Sequence, residues 1–514
     1  MKKNLLFILT FMTFTALKAQ NYSEDIAPLI YKHCSNCHRP GEIGPFSLTN
    51  YNEVAAWGAT IKYVTKIKYM PPWKPDPSYK QVQHENYLTD SEIKQISDWV
   101  DKGMPQGDPA KEPPFPTFPT GSQVGTPDLV LSFSQSYLHK GDGKDEYRYF
   151  VLPSGLTEDK ELVALEMRPG NKKVVHHTLF WADNTGAAKA EDAKSAEYGF
   201  TGAGANVLRG DQLPGYVPGT KPAVFSNGMS QLIPKGSDLV LQMHYAPTSV
   251  DEYDSSTVNL FFSKTPAKRR VMSHILLPTD LVNGPFVISP NQVKQFEAVY
   301  KVPIKVSLIG IWPHCHMLGK NWTVYAKLPN GTQENLIKIN DWDFNWQGGY
   351  SFNKPVVLPA GSEIHAFCTY DNTTNNPSNP NSPPKFVTWG EGTADEMFYL
   401  PITYVLYQNG DENLSLNTAN EKFEYEVDKI YPIYPNPVSE ECNLGFVLNQ
   451  NKEITVDILD EQGRLIKNIL KAKRYLQGQH ILPIETKDLI SGQYIVRIMS
   501  PNTETMTAKM NILK

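Results

Sequence analysis

The sequence predicts a multidomain chain: a small all-α unit, two tandem β-sandwiches and a small C-terminal β-sandwich. Three observations predict it. A chain of 514 residues exceeds what one hydrophobic core supports. Its apolar period is helical before residue 105 and strand-like beyond residue 127. Forty prolines and 34 glycines, dense between those two regions, favour short strands and many turns over long helices. The net charge of −5 provides no basic footprint, so nucleic acid is not an expected partner.

Residues 1–19 read as a Sec-type signal peptide. Lys2 and Lys3 form a positive start, Leu5 to Leu17 is an apolar stretch too short to span a bilayer, and Leu17-Lys18-Ala19 before Gln20 resembles a cleavage site. No later apolar run reaches about 18 residues, so no transmembrane anchor is expected. Residues 20–108 form the helical unit. Ile26, Leu29, Ile30 and His33 recur at helical spacing, as do Val54, Trp57, Ile61 and Val64. A third helix opens on the capping box Thr89-Asp90-Ser91-Glu92 and stops at Gly103. Residues 109–127, with Pro113-Pro114-Phe115-Pro116, read as a semi-rigid linker. Strands such as Asp128–Leu131, Glu161–Leu165 and Asp238–His244 then suit two sandwiches over residues 128–265 and 266–425. Residues 430–514 form the last strand-rich unit.

Cys34-Ser35-Asn36-Cys37-His38 is a Cys-x-x-Cys-His motif, the attachment site of one covalent c-type haem. Each thiol of Cys34 and Cys37 adds to a vinyl group, and His38 turns its imidazole onto the iron. A zinc half-site or a thiol redox pair would use the same cysteines, but no second ligand pair lies in this region. The sixth iron ligand should be a thioether or an imidazole. Met70, in Tyr69-Met70-Pro71-Pro72-Trp73, and Met104 are the sulfur candidates. The stretch from Cys34 to Asp108 resembles a bacterial cytochrome c domain in which Met-Pro-Pro-Trp carries the axial ligand, which implies Met70. His84 reads as a surface residue.

Four segments of the body concentrate metal-ligand chemistry: His176-His177, Gln242-Met243-His244-Tyr245, His314-Cys315-His316-Met317 and Asp395-Glu396-Met397. On a strand, residues two apart share a face, so His314 and His316 can converge on one metal while Cys315 points away; Gln242 and His244 are placed alike. Adjacent His176 and His177 diverge on a regular strand, so a shared ion requires a bulge. Together and in this order the segments resemble the copper type II, ascorbate-dependent monooxygenases, the group of the peptide-amidating and dopamine-hydroxylating enzymes, over residues 125 to 425. The resemblance implies two jelly-roll-like sandwiches, each holding one copper, across a solvent-filled cleft. It implies His176, His177 and His244 as ligands of the first copper. It implies His314, His316 and Met397 as ligands of the second, with Gln242 as an amide beside the first. A weak thioether suits Cu(I), the form that meets dioxygen.

Two departures bear on the substrate. Trp312 stands where the peptide-amidating enzyme has arginine, and Pro401 where it has a carboxylate-binding tyrosine, so peptide amidation is not expected. Phe398 replaces a family cysteine. A Cys315–Cys368 bridge is left open by the sequence, and His139, His274 and His365 read as structural or exposed. At the C-terminus, Tyr434-Pro435-Asn436-Pro437, Asp460-Glu461-Gln462-Gly463-Arg464-Leu465 and Leu489-Ile490-Ser491-Gly492-Gln493-Tyr494 resemble the type A C-terminal sorting domain of bacterial type IX secretion. That resemblance implies a secreted or cell-surface protein of a gram-negative bacterium, with the secretion machinery as a partner. The expected function is a copper monooxygenase hydroxylating a C–H bond of an organic substrate with dioxygen. An external donor, an ascorbate-like reductant or a redox protein, would feed it and the haem would relay the electrons. The alternatives are a non-catalytic electron-transfer or copper-binding surface protein and an adhesin with a vestigial copper fold.

Overall fold

The helical period of the N-terminal residues folds as Tyr22–Ile26, a π turn, continuing into Ala27–His33, then Tyr51–Ala56, Gly58–Lys66 and Asp90–Asp101. The computed structural model describes residues 20–118, 122–202, 212–264, 268–416, 428–431, 433, 436–475, 478–501 and 505–514. The expected signal peptide, and Tyr434-Pro435 of the sorting segment, lie outside them. The chain divides into two compact units: residues up to Pro72 with Asn86–Thr117, and Trp73–Glu85 with Phe118–Lys514.

In the first unit the Thr89/Glu92 capping box is formed and Gly103 takes a φ of +82° after the last helix. The expected second helix is two helices, broken at Trp57. Trp57 was expected on the buried face; it is 40% exposed and stacks on Phe46 with ring centroids 4.0 Å apart. Tyr22, Ile26, Ile30, Val54, Ile61, Ile96 and Trp99 form the core. The start of the expected linker belongs to this unit. Phe115 packs edge-on against Tyr31 at 5.1 Å, and Glu112 accepts the Tyr31 hydroxyl.

The second unit holds three sandwich-like pairs of sheets. In the first, Leu129–Ser132, Thr257–Phe262, Lys160–Arg168 and Met229–Ile233 form one layer. Glu146–Pro153, Asp238–Tyr245, Val175–Asp183 and Gln212–Tyr216 form the other. Leu239, Leu241, Met243 and Tyr245 face the core between the layers, so alternation turns Gln242 and His244 to the outer face. The second pairs Met272–Leu276, Leu400–Leu406, Val306–Ile311 and Tyr350–Leu358 with Gln292–Lys301, Glu363–Asn372, Gly319–Lys327 and Gln333–Ile339. At the C-terminus the strands Lys452–Asp460 and Leu465–Tyr475 flank the expected turn, with Gly463 at φ +80°.

One segment read with the helical unit packs elsewhere. The chain leaves that unit after Pro72 and re-enters it at Asn86, and residues 73–85 lie as a strap on the second sandwich. Pro75 bridges Ile339 and Val82 bridges Phe352, joining the edge strands of the two layers. Val82 is 3% exposed, in the sandwich core, and Lys80 pairs with Glu334 at 2.7 Å. The strap thereby covers edges that would otherwise offer unpaired backbone to another chain.

Candidate metal centre

His176 and His177 sit at the start of the strand Val175–Asp183, which pairs with Asp238–Tyr245. Val175 faces Tyr245 and His177 faces His244, so His176 is the extra residue of a β-bulge. The bulge the adjacent pair requires is therefore present. It brings three Nδ1 atoms together: His176 to His244 at 3.1 Å, His177 to His244 at 3.2 Å and His176 to His177 at 3.3 Å. Three mutual ring hydrogen bonds cannot all form, since a ring nitrogen that carries a proton has no lone pair with which to accept another. Metal–imidazole bonds of about 2.0–2.1 Å at a tetrahedral angle span about 3.3 Å between nitrogens, so the triangle fits one ion. Burial, then the neighbouring imidazole of His244, pushes His176 down to about 4 and His177 well below its ordinary value. Burial also lowers His244, against the pull of Asp145. All three are neutral at pH 7, the form that binds metal.

Around this triad, Tyr147 stacks on His244 at 4.3 Å with rings 4° apart, and Asp145 Oδ1 accepts the His244 Nε2–H at 2.6 Å. Gln242 is 7% exposed and donates from Nε2 to the Tyr149 hydroxyl at 2.6 Å.

His314 and His316 follow the strand Val306–Ile311. Their rings lie 5.2 Å apart at 88°. His314 exchanges backbone hydrogen bonds with Tyr399, two residues after Met397. His316 Nδ1 lies 3.1 Å from the Asp395 carbonyl, leaving Nε2 for a metal. Cys315 points the other way, as alternation requires: it is fully buried, accepts the Trp322 indole N–H at 3.2 Å and contacts the Cys368 thiol, both cysteines being free. Burial pushes His314 well down and His316 to about 4. Met397 is half-buried; its N–H donates to Glu396 at 3.0 Å and its carbonyl accepts the Tyr370 hydroxyl at 2.7 Å.

Sequence reasoning placed Glu396 beside Met397 and gave it no role. Fully buried, it accepts the N–H groups of His316 at 2.8 Å and Leu318 at 2.7 Å besides that of Met397, so one carboxylate ties both ligand segments together. Burial pushes it up to about 8 against those donors. Asp145 and Phe344 were missed. No sequence period points to Asp145, Tyr147 and Tyr149, whose partners lie 93 to 246 residues away.

Among the described residues, no solvent-filled cleft of the kind the resemblance implies separates the two sets. The His177 and His314 rings are 6.1 Å apart, and Phe344 stands 5.8–6.0 Å from His316, His176 and His244. His177, His244 and His316 are at most 4% exposed. The two positions that depart from the amidating enzyme meet here: the Trp312 N–H donates to the Pro401 carbonyl at 2.9 Å. The Trp312 indole donates to the Gln347 carbonyl at 2.6 Å, and its ring occupies the space a side chain at Gly215 would need. Phe398, where the family has cysteine, is fully buried against Trp322. His139 and His365 are held by Glu146 and Glu297 at 3.0 Å, and His274 stacks on Tyr300. His84 is exposed.

In the helical unit, His38 Nδ1–H donates to the Phe46 carbonyl at 3.0 Å. A Cβ at Gly44 would lie 2.7 Å from the Cys37 carbonyl oxygen and 2.9 Å from His38 Cα, so that loop closes tightly on the motif. Met70 is half-buried, and the Met104 sulfur packs against Gly58.

Residues 288–431 match the family model of the copper type II ascorbate-dependent monooxygenase, C-terminal domain, and residues 432–513 that of the secretion system C-terminal sorting domain. No curated protein matches the chain. Among solved structures, the Lactobacillus rhamnosus beta-glucuronidase is 12% identical over 44% of this chain and 36% of that one, with a TM-score of 0.14. The Parabacteroides merdae beta-glucuronidase is 10% identical over 50% and 31%, also at 0.14. The chain thus spans about a third of these proteins, and likenesses of that TM-score carry no argument.

Proposed function

We propose, for a chain that carries the C-terminal domain of the copper type II ascorbate-dependent monooxygenases over residues 288–431 and a secretion sorting domain over 432–513, that it hydroxylates a C–H bond of an organic substrate with dioxygen. The sorting domain indicates type IX secretion to the cell surface or extracellular space. One observation supports the reading above the others: the triangle of Nδ1 atoms of His176, His177 and His244, brought together by a bulge at His176.

His176, His177 and His244 would hold one copper, and His314, His316 and Met397 the other. Copper in these sets would supply one-electron chemistry towards dioxygen. Asp145 fixes the His244 proton on Nε2. Gln242 orients the Tyr149 hydroxyl, and Phe344 packs among the imidazoles of His176, His244 and His316, where it excludes water. In the helical unit Cys34 and Cys37 would bind haem covalently, and His38, its Nδ1–H held by Phe46, would offer Nε2 to the iron. With the Met104 sulfur taken up against Gly58, Met70 is the sixth ligand of this reading. Haem there would supply one-electron transfer from an external donor.

The burial of the histidines favours a second reading, a secreted copper and haem electron-transfer protein without a substrate site. Product analysis under isotopically labelled dioxygen separates the two. Label in an organic product coupled to oxygen uptake is expected; oxygen consumed without labelled product supports the second reading. Metal analysis should find one iron and two coppers per chain. Zinc or iron in the sandwiches of a copper-reconstituted sample would overturn both.

A further inference from the structure

Tyr147 and Tyr149 share one face of the strand Glu146–Pro153, Asp145 stands just before it in the same alternation, and both tyrosines hydrogen-bond the loop that leads to Met397. The Tyr147 and Thr393 hydroxyls share a hydrogen bond at 3.2 Å, the Asp145 carboxylate interacts electrostatically with that Thr393 hydroxyl, and the Tyr149 hydroxyl lies 3.1 Å from both Glu391 carboxylate oxygens. On its other side Asp145 accepts the His244 Nε2–H at 2.6 Å. The same loop meets the second set, where the Asp395 carbonyl lies 3.1 Å from His316 Nδ1. A continuous run of contacts therefore joins a ligand of the first set to the loop that fixes ligands of the second.

Resting on the copper reading above, we infer that Asp145 is a positioning residue for His244 and that, with Thr393, it couples the two metal sets, so that filling one tightens the other. The physical basis has two parts. A carboxylate on Nε2–H fixes the tautomer that aims a lone pair from Nδ1, and removing such a partner typically costs about 10–100-fold in metal affinity. Metal at His314, His316 and Met397 would order the 390–397 loop and seat Thr393 on Asp145, so the ordering cost is met once for both ions. By linkage the effect is reciprocal.

The test is competition titration of Cu(I) against a chromophoric chelator, with cupric electron paramagnetic resonance, on the full-length chain. Asp145→Asn should weaken copper at His176, His177 and His244 about 10–100-fold and change its cupric spectrum. Disabling the second set with His314→Ala should lower first-set affinity about 5–150-fold in the wild-type background and much less in Thr393→Val, which loses only a hydroxyl. An unchanged spectrum and affinity in Asp145→Asn, with two coppers still bound, would overturn the positioning role and leave the copper reading standing. An equal effect of His314→Ala in both backgrounds would overturn the coupling. A wild-type chain that takes up no copper would defeat both the inference and the reading beneath it.

Discussion

Replacing Arg269 by methionine should loosen the join between the two sandwiches that carry the histidine sets. The strand Arg269–Arg270 pairs with Met229 and Ser230 of the first sandwich. The Arg269 guanidinium makes two 2.7 Å bonds to Asp411 and one of 2.6 Å to the Leu406 carbonyl, in the second. Asp411 also accepts Ser307 at 2.6 Å and the Gln408 N–H at 3.0 Å. Arg269 is 8% exposed and Asp411 3%, so removing the cation strands a buried carboxylate with two partners. Breaking such a pair costs about 3–5 kcal/mol. At about 2–4 °C per kcal/mol for 150–250 residues, the Tm should fall by about 6–20 °C. Scanning calorimetry at neutral pH measures it. Arg269→Met/Asp411→Leu should recover much of the loss, because two apolar groups need no partner. The pH dependence has a definite sign. Burial works to raise Asp411, but Arg269 and Ser307 hold it below its ordinary value. Its contribution is therefore present above about pH 4 and lost as pH falls through the folded value, so the gap in stability between wild type and Arg269→Met should narrow as the pH falls through that range. A single variant within about 2 °C of wild type, or a double variant less stable than the single, would refute the reasoning.

Met397→Ala should leave Cu(II) on His314 and His316 while lowering Cu(I) affinity by about tenfold or more, read by chelator competition; unchanged Cu(I) binding would make Met397 a packing residue. His177→Ala breaks the Nδ1 triangle and should remove one cupric component from the resonance spectrum while sparing the other. Gly44→Ala drives a methyl into the Cys37 carbonyl and the His38 backbone, so covalent haem measured by the pyridine haemochrome should fall. Haem content equal to wild type would show that the loop has room to shift. Val82→Asp buries a charge beneath the strap and should cost about 3 kcal/mol or more; an unshifted unfolding transition would mean that the strap contributes little.

What could be read in the sequence was whatever depends on local geometry. Two adjacent histidines can share an ion only through a bulge, and the bulge stands at His176. The one-residue spacing of His314 and His316 sends Cys315 into the core. The capping box at Thr89 and the turn at Gly463 follow the same logic. Long-range packing was not legible. Phe344 and Thr393 act only because two sandwiches face each other, Glu396 because two distant segments of one sandwich meet at it, and no period marks any of them. Trp57 obeyed the helical spacing but was drawn out of the core by Phe46. Residues 109–117, proline-rich enough to read as linker, dock through Phe115.

The strap also sets an order of assembly. Within the helical unit Tyr22 pairs with Pro105, so that unit closes on contacts made inside the first fifth of the chain. The strap's partners come far later: Lys80 finds Glu334 after 254 positions and Gln83 finds the Leu416 carbonyl after 333. Closing such loops is slow, and until it happens Val82 and two sheet edges stay open to other molecules. Docking of residues 73–85 is thus the step that covers these two edges. In a newly exported molecule they are closed to its neighbours only when a segment near its start has found strands from its second half.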